Sequence, residues 1–117
     1  MTWEKFDRSV TYAARQRRRN RPCVARSVDR PEAAYLMLPR DMVHGDRVSI
    51  YTDKRGRIAF EFDITGEYAV RATSRTSYTR RITIPKALVH AIPFGLHDVD
   101  LERTGEGWLI LDPQTLA

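Results

Sequence analysis

Alternating apolar and polar positions, cut off by proline, occur twice along the chain. Arg80-Arg81-Ile82-Thr83-Ile84-Pro85-Lys86-Ala87-Leu88-Val89 is a β-branched run that ends at proline and passes into a short helix-like segment. The same plan stands 46 residues upstream as Ala34-Tyr35-Leu36-Met37-Leu38-Pro39-Arg40-Asp41-Met42-Val43, with proline on proline and base on base. The correspondence runs without a gap from Val24 on Val70 to His44 on His90, after which five extra residues in the second copy bring Val48 onto Val99. Val48-Ser49-Ile50-Tyr51 then matches Val99-Asp100-Leu101-Glu102, and Gly56-Arg57-Ile58-Ala59-Phe60 matches Gly107-Trp108-Leu109-Ile110-Leu111. An internal repeat of this length makes each copy one supersecondary unit.

Period-two alternation predicts strands over 24–28, 35–38, 47–52, 57–63, 68–73, 80–84, 99–103 and 108–111. Proline cannot donate to a ladder and suits the first position of a helix, so Arg40 to His44 is expected as one short turn and Pro85 to Ala91 as a short helix. Asp29-Arg30-Pro31-Glu32, Asp53-Lys54-Arg55-Gly56, Pro93-Phe94-Gly95-Leu96 and Thr104-Gly105-Glu106-Gly107 have the composition of turns. At the N-terminus, Thr2 caps a helix expected from about Trp3 to Arg17, with Trp3, Phe6 and Val10 on one face. That face either docks on the rest of the protein or holds a partner. The expected organisation is therefore a helix and arginine-rich arm over 1–21, a first ββαββ unit over 22–63 and a second over 68–112. A unit of about 40 residues is too small to bury an adequate core alone, so the two copies are expected to share one core across 22–112, in a mainly β fold.

In 117 residues with 42% hydrophobic content, no apolar run approaches a membrane span, and no secretory segment is legible near Met1. A soluble cytoplasmic protein is the default expectation. The single cysteine, Cys23, excludes an intrachain disulfide and a cysteine-based zinc site. The net charge of +5 is unevenly placed: residues 15–30 carry seven arginines and one acid, and residues 71–86 carry five basic residues and no acid. Both blocks cover the arm that leads into the proline-stopped strand, which concentrates positive potential where a polyanion would be drawn. Arginine's planar fork suits phosphate. Hydroxyls beside arginines in Ser74-Arg75-Thr76-Ser77-Tyr78-Thr79-Arg80 suit phosphate or base edges, and Tyr35 and Tyr78 are the aromatic candidates for stacking. No catalytic constellation stands out: His44, His90 and His97 lack metal-binding spacing, Asp98 and Asp100 fall in a turn, and no nucleophile elbow or phosphate-cradling loop is present. No cofactor or metal is expected.

Arg81-Ile82-Thr83-Ile84-Pro85-Lys86-Ala87-Leu88, followed by Gly95-Leu96-His97-Asp98-Val99-Asp100-Leu101 and a final hairpin, resembles the AbrB/SpoVT/MazE swapped-hairpin domain. In that family two chains exchange hairpins to make one barrel; two copies in one chain imply an intramolecular pseudo-dimer, as in the similar MraZ proteins, either monomeric or paired again as a homodimer. The resemblance implies a non-catalytic transcriptional regulator that grips double-stranded DNA with arginines beside the first hairpin of each unit. The family's arginine four residues before the proline matches Arg81, where the first copy has Tyr35. The base after the proline matches Arg40 and Lys86, and Arg26, Arg30, Arg71 and Arg75 lie on the arms. Val43 and Val89 stand where the family often carries basic residues. With Arg80 and the run Arg17, Arg18, Arg19 and Arg21, these are the expected nucleic-acid contacts. RNA binding by the same surface, or an antitoxin-like or phage-type inhibitor acting through Trp3, Phe6 and Val10, are the alternative functions.

Overall fold

The structure is a computed structural model that describes residues 21–72 and 79–116. The expected N-terminal helix with Trp3, Phe6 and Val10, the arginines Arg17, Arg18 and Arg19, and Arg75 and Tyr78 lie outside the described residues.

The described chain is mainly β. Nine antiparallel strands, β1 (Cys23–Arg26), β2 (Tyr35–Pro39), β3 (Arg47–Thr52), β4 (Ile58–Phe62), β5 (Tyr68–Ala72), β6 (Thr79–Thr83), β7 (Gly95–Asp98), β8 (Glu102–Arg103) and β9 (Leu109–Leu111), join in the order β7-β1-β2-β6-β5-β3-β4-β9-β8. The two ends of that order, β7 and β8, are consecutive in the chain and separated only by residues 99–101. Nine strands laid flat would span about 38 Å, whereas a link of this length reaches about 14 Å. The sheet must therefore curl until its edges approach, and it forms a half-barrel. Side chains at alternate positions fill the inside. Val24, Leu36, Leu38, Val48, Ile58, Phe60, Ile82, Ile84, Leu109 and Leu111 are each at most 1% exposed and belong to one continuous core. Buried strand residues of this kind each contribute about 1.5–3 kcal/mol.

Hairpin registers follow the offsets seen in the sequence. Val24 faces Leu36 in β1–β2, and Val70 faces Ile82 in β5–β6, so both strands of the second pair are displaced by 46 from the first. The central β2–β6 pairing sets Leu36 against Ile82, two positions that are themselves 46 apart. In the other hairpins Tyr51 faces Ala59 and Glu102 faces Ile110, a displacement of 51, and the β4–β9 pairing sets Ala59 against Ile110. The loops agree in detail. Asp53 N donates to Arg57 O at 3.2 Å and Thr104 N to Trp108 O at 2.9 Å, while Gly56 and Gly107 take φ of 81° and 88°, a conformation that glycine adopts without strain.

The segments after each proline are short and helical, as expected, and the structure departs from the expected elements beyond them. Arg40–Met42 and Lys86–Ala91 are 3-10 turns, entered from Pro39 and Pro85 without a side-chain cap. So few residues, with no cap, cannot nucleate an α-helix. Gly95–Asp98, whose first two residues are expected in a turn and which lies ahead of the strand expected from Val99, forms β7 and pairs with β1, Ala25 facing Leu96. The strand expected over 99–103 is regular only at Glu102–Arg103. Here the chain leaves one end of the sheet for the other, and Val99, whose N donates to Pro22 O at 3.1 Å, is the corner.

Two outcomes follow. Gly66 is buried, and a Cβ there would fall onto the Val48 backbone, so Gly66→Ala is expected to lower stability by about 1–3 kcal/mol in a denaturant melt; an unchanged midpoint would contradict the close packing. Asp53 accepts from the backbone N–H of Arg57 at 2.9 Å and from its guanidinium at 2.6 Å, which together hold its carboxyl below the ordinary aspartate value. A depressed carboxylate stabilises the fold above the unfolded-state value of about 3.9 and loses that contribution as pH falls through the folded value. Asp53→Asn should therefore lower the thermal midpoint at neutral pH, with the gap from the parent closing in acid below about pH 3.9; a gap that stays constant with pH would argue against it.

Candidate nucleic-acid interface

Alternation that sends Val24, Leu36 and Ile82 inward sends Cys23, Tyr35, Met37, Arg81 and Thr83 to the outer face of β1, β2 and β6. Across this face one row reads Asp98, Cys23, Met37, Arg81 and Arg71 from β7 to β5. Arg71 and Arg81 are directly opposed on neighbouring strands, a pairing of like charges that destabilises a sheet. The nearest acid in the row, Asp98, is three strands away from Arg81, about 14 Å, which is beyond the screening length at physiological salt. Among the described residues the ion pair is Arg57 with Asp53, so neither arginine is neutralised there. The Arg81 guanidinium lies over the Tyr35 ring at 4.6 Å from its centre. That cation–π contact fixes Arg81 near the middle of the face and leaves its edge donors outward.

The remaining candidates divide between the two ends of the β2–β6 pair. Pro39 faces Thr79, which brings Arg40 beside the end that carries Arg71 and the start of β6. Arg80 lies opposite Leu38, on the other side of its strand from Arg81, and is half-buried with Nη1 3.4 Å from Thr79 O. At the far end Ile84 N donates to Ala34 O at 2.9 Å, placing Lys86 beside the β1–β2 turn with Arg26 and Arg30. Arg21, Arg30, Arg40, Arg71 and Lys86 are exposed. Arg26 is a structural clamp. Its Nε donates to Pro31 O at 2.9 Å, Nη1 donates to Ile92 O at 2.9 Å, and its guanidinium carbon lies over the Phe94 ring at 4.2 Å from the ring centre. It thus ties the β1–β2 turn to the segment before β7.

Other functional-looking residues serve separate contacts. His97 Nε2 is 2.9 Å from Phe94 O, and His44 is 2.9 Å from Arg103 Nη1 and edge-on to Phe62. Asp98, Asp100, Glu102 and Asp112 line a cleft of about 270 Å³ with Arg55 and Arg57, where the two ends of the strand order approach. Acidic charge is thereby gathered away from the middle of the sheet, and the Arg71–Arg81 face is left positive. Two features escaped sequence reasoning. Arg47 is a second clamp, donating to Gly66 O at 2.5 Å and Glu67 O at 3.0 Å. Tyr51 and Trp108 stack at 4.9 Å across β4, where Ala59 leaves room, and the hydrogen bond from the Tyr51 hydroxyl to Glu61 raises the tyrosine pKa. Outward positions on β3 and next to β9 were legible, but not the β4–β9 pairing that makes them neighbours.

Because Arg26 joins two segments through charge-assisted bonds, Arg26→Ala is expected to cost about 1.5–3 kcal/mol of stability, and Arg26→Lys to recover little of it for want of a planar fork. Chemical denaturation of the three proteins measures this; an alanine variant as stable as the parent would show the clamp to be idle. Comparison with family models, with curated proteins and with solved structures gives no match to this chain.

Proposed function

We propose that the chain is a non-catalytic double-stranded-DNA-binding protein, a transcriptional regulator of the AbrB kind, in which two ββαββ units of one chain close on each other as a swapped-hairpin barrel. The equal displacements in the four hairpin registers, together with the central pairs Leu36–Ile82 and Ala59–Ile110, support an internal duplication about a pseudo-twofold axis. The observation that carries the function is the opposed pair Arg71–Arg81. A sheet gains nothing by holding two guanidinium groups together without an acid, whereas a phosphate backbone supplies the missing negative charge from outside. Arg81 on Tyr35, Arg71 beside it and Arg40 at the same end of the β2–β6 pair form the proposed contact.

Binding of this kind is driven by counterion release, so its salt dependence counts the phosphates engaged. On a random-sequence duplex the logarithm of affinity should fall against the logarithm of salt with a slope of about −3, as expected for three or four contacts. The double variant Arg71→Ala/Arg81→Ala should flatten that slope by about 2. Fluorescence anisotropy across a salt series gives both numbers. Weak binding with a flat slope would remove the proposal, and tighter binding to duplex RNA than to duplex DNA would replace it with an RNA-binding role.

A further inference from the structure

We infer that the grip on DNA is one-ended: the face engages a single half-site of a non-palindromic duplex, although the strand registers are twofold symmetric. This rests on the DNA-binding reading and adds a direction to it. The twofold operation that exchanges Leu36 with Ile82 places Arg81 on Tyr35 and Arg71 on Ala25. Positions that a symmetric reader would fill alike therefore hold a cation on one side and an uncharged residue on the other. Tyr35 does more than omit a charge. It carries the Arg81 guanidinium on its ring at 4.6 Å, so one cation occupies the centre of the face where two would repel.

The ends of the β2–β6 pair each add exposed bases set among acids. One end holds Arg40, beyond the Arg71–Arg81 row, with Asp41 next to it and Asp46, whose O accepts from Val70 N at 2.8 Å, leading into β3. The other holds Arg30 and Lys86 together with Asp29 and Glu32 in the β1–β2 turn, and its remaining base, Arg26, is committed to Pro31 and Ile92. Acids close to exposed bases cancel part of their field at a phosphate, so the difference between the two sides of the twofold lies in Arg71 and Arg81 against Ala25 and Tyr35, with Arg40 on the side of the first pair. Duplex DNA presents phosphates at equal spacing on both sides of any dyad. Lys86 and Arg40 occupy equivalent places, the first residue after the proline in each copy, and so feel the same DNA in unequal surroundings.

The pair Arg40 and Lys86 is therefore the test, since both are exposed and neither belongs to the core. With the full chain and a random-sequence duplex, Arg40→Ala should reduce the salt slope by about 1 and Lys86→Ala by less than a third of that. Ala25→Arg, which sets a cation at the twofold mate of Arg71 on the same outer face, should steepen the slope by about 1 and make Lys86→Ala more harmful than in the parent. Thermal melts of each variant confirm that the fold is kept. Equal losses at Arg40 and Lys86 in the parent, or an unchanged slope for Ala25→Arg, would overturn the one-ended grip while leaving DNA binding in place. Absence of salt-dependent binding by the parent protein would instead overturn the function itself.

Discussion

The pairing of β2 with β6 is the contact on which the rest of the structure depends. It joins two strands that are distant in sequence, Leu36 against Ile82, and it is the ladder that links β7-β1-β2 to the six strands from β6 to β8. Both inward residues are fully buried, and Leu38 and Ile84 extend the same seam. A central pair of this kind carries two obligations at once. Its inner face must be wholly apolar to close the core, and its outer face is left to carry polar and aromatic side chains. The site follows from the fold because the strands that organise packing are the ones that present Tyr35 and Arg81.

Long-range closure is then secured by side chains that reach backbone carbonyls. Arg26 bonds Pro31 O and Ile92 O near β7, and Arg47 bonds Gly66 O and Glu67 O near β5. Beside β5 the ladder is short, β3 meeting β5 through Arg47 and Val48 alone, and a guanidinium satisfies carbonyls that a longer ladder would otherwise engage. Hence basic residues have two unrelated uses in one small protein. Some are consumed in holding the curled sheet shut, and others are left facing solvent with their charge intact.

That division explains how far the sequence could be read. Alternation identified Leu36, Leu38, Ile82 and Ile84 as inward and predicted the mainly β class, since a period of two is a local property of the chain. It placed the Gly56 and Gly107 turns for the same reason. It could not find β7, because Pro93, Phe94 and Gly95 carry turn chemistry and only the distant partner β1 makes Gly95–Asp98 a strand. Nor could it separate Arg26 from Arg71. Both are arm arginines at neighbouring places in the repeat, yet Phe94 and the Ile92 carbonyl, which belong to the five-residue insertion of the second copy, capture Arg26 and leave Arg71 outside. A charge pattern gives where cations are numerous; three-dimensional neighbours decide which remain available.

Availability is what gives Arg71 and Arg81 their weight. Two cations on opposed positions of a ladder raise the energy of the protein by a few tenths of a kcal/mol to about 1 kcal/mol, energy that an anion placed between them would recover. The Tyr35 ring attenuates the repulsion by drawing the Arg81 guanidinium toward its own side, which lets the pair persist without an acid that would have to be displaced on binding. A carboxylate in that place would have stabilised the sheet more and the complex less, because its bond to arginine must break before phosphate can replace it. An aromatic partner offers the opposite balance: it orients the cation, supplies no competing acceptor, and leaves the hydrogen-bonding edge of the guanidinium for a ligand.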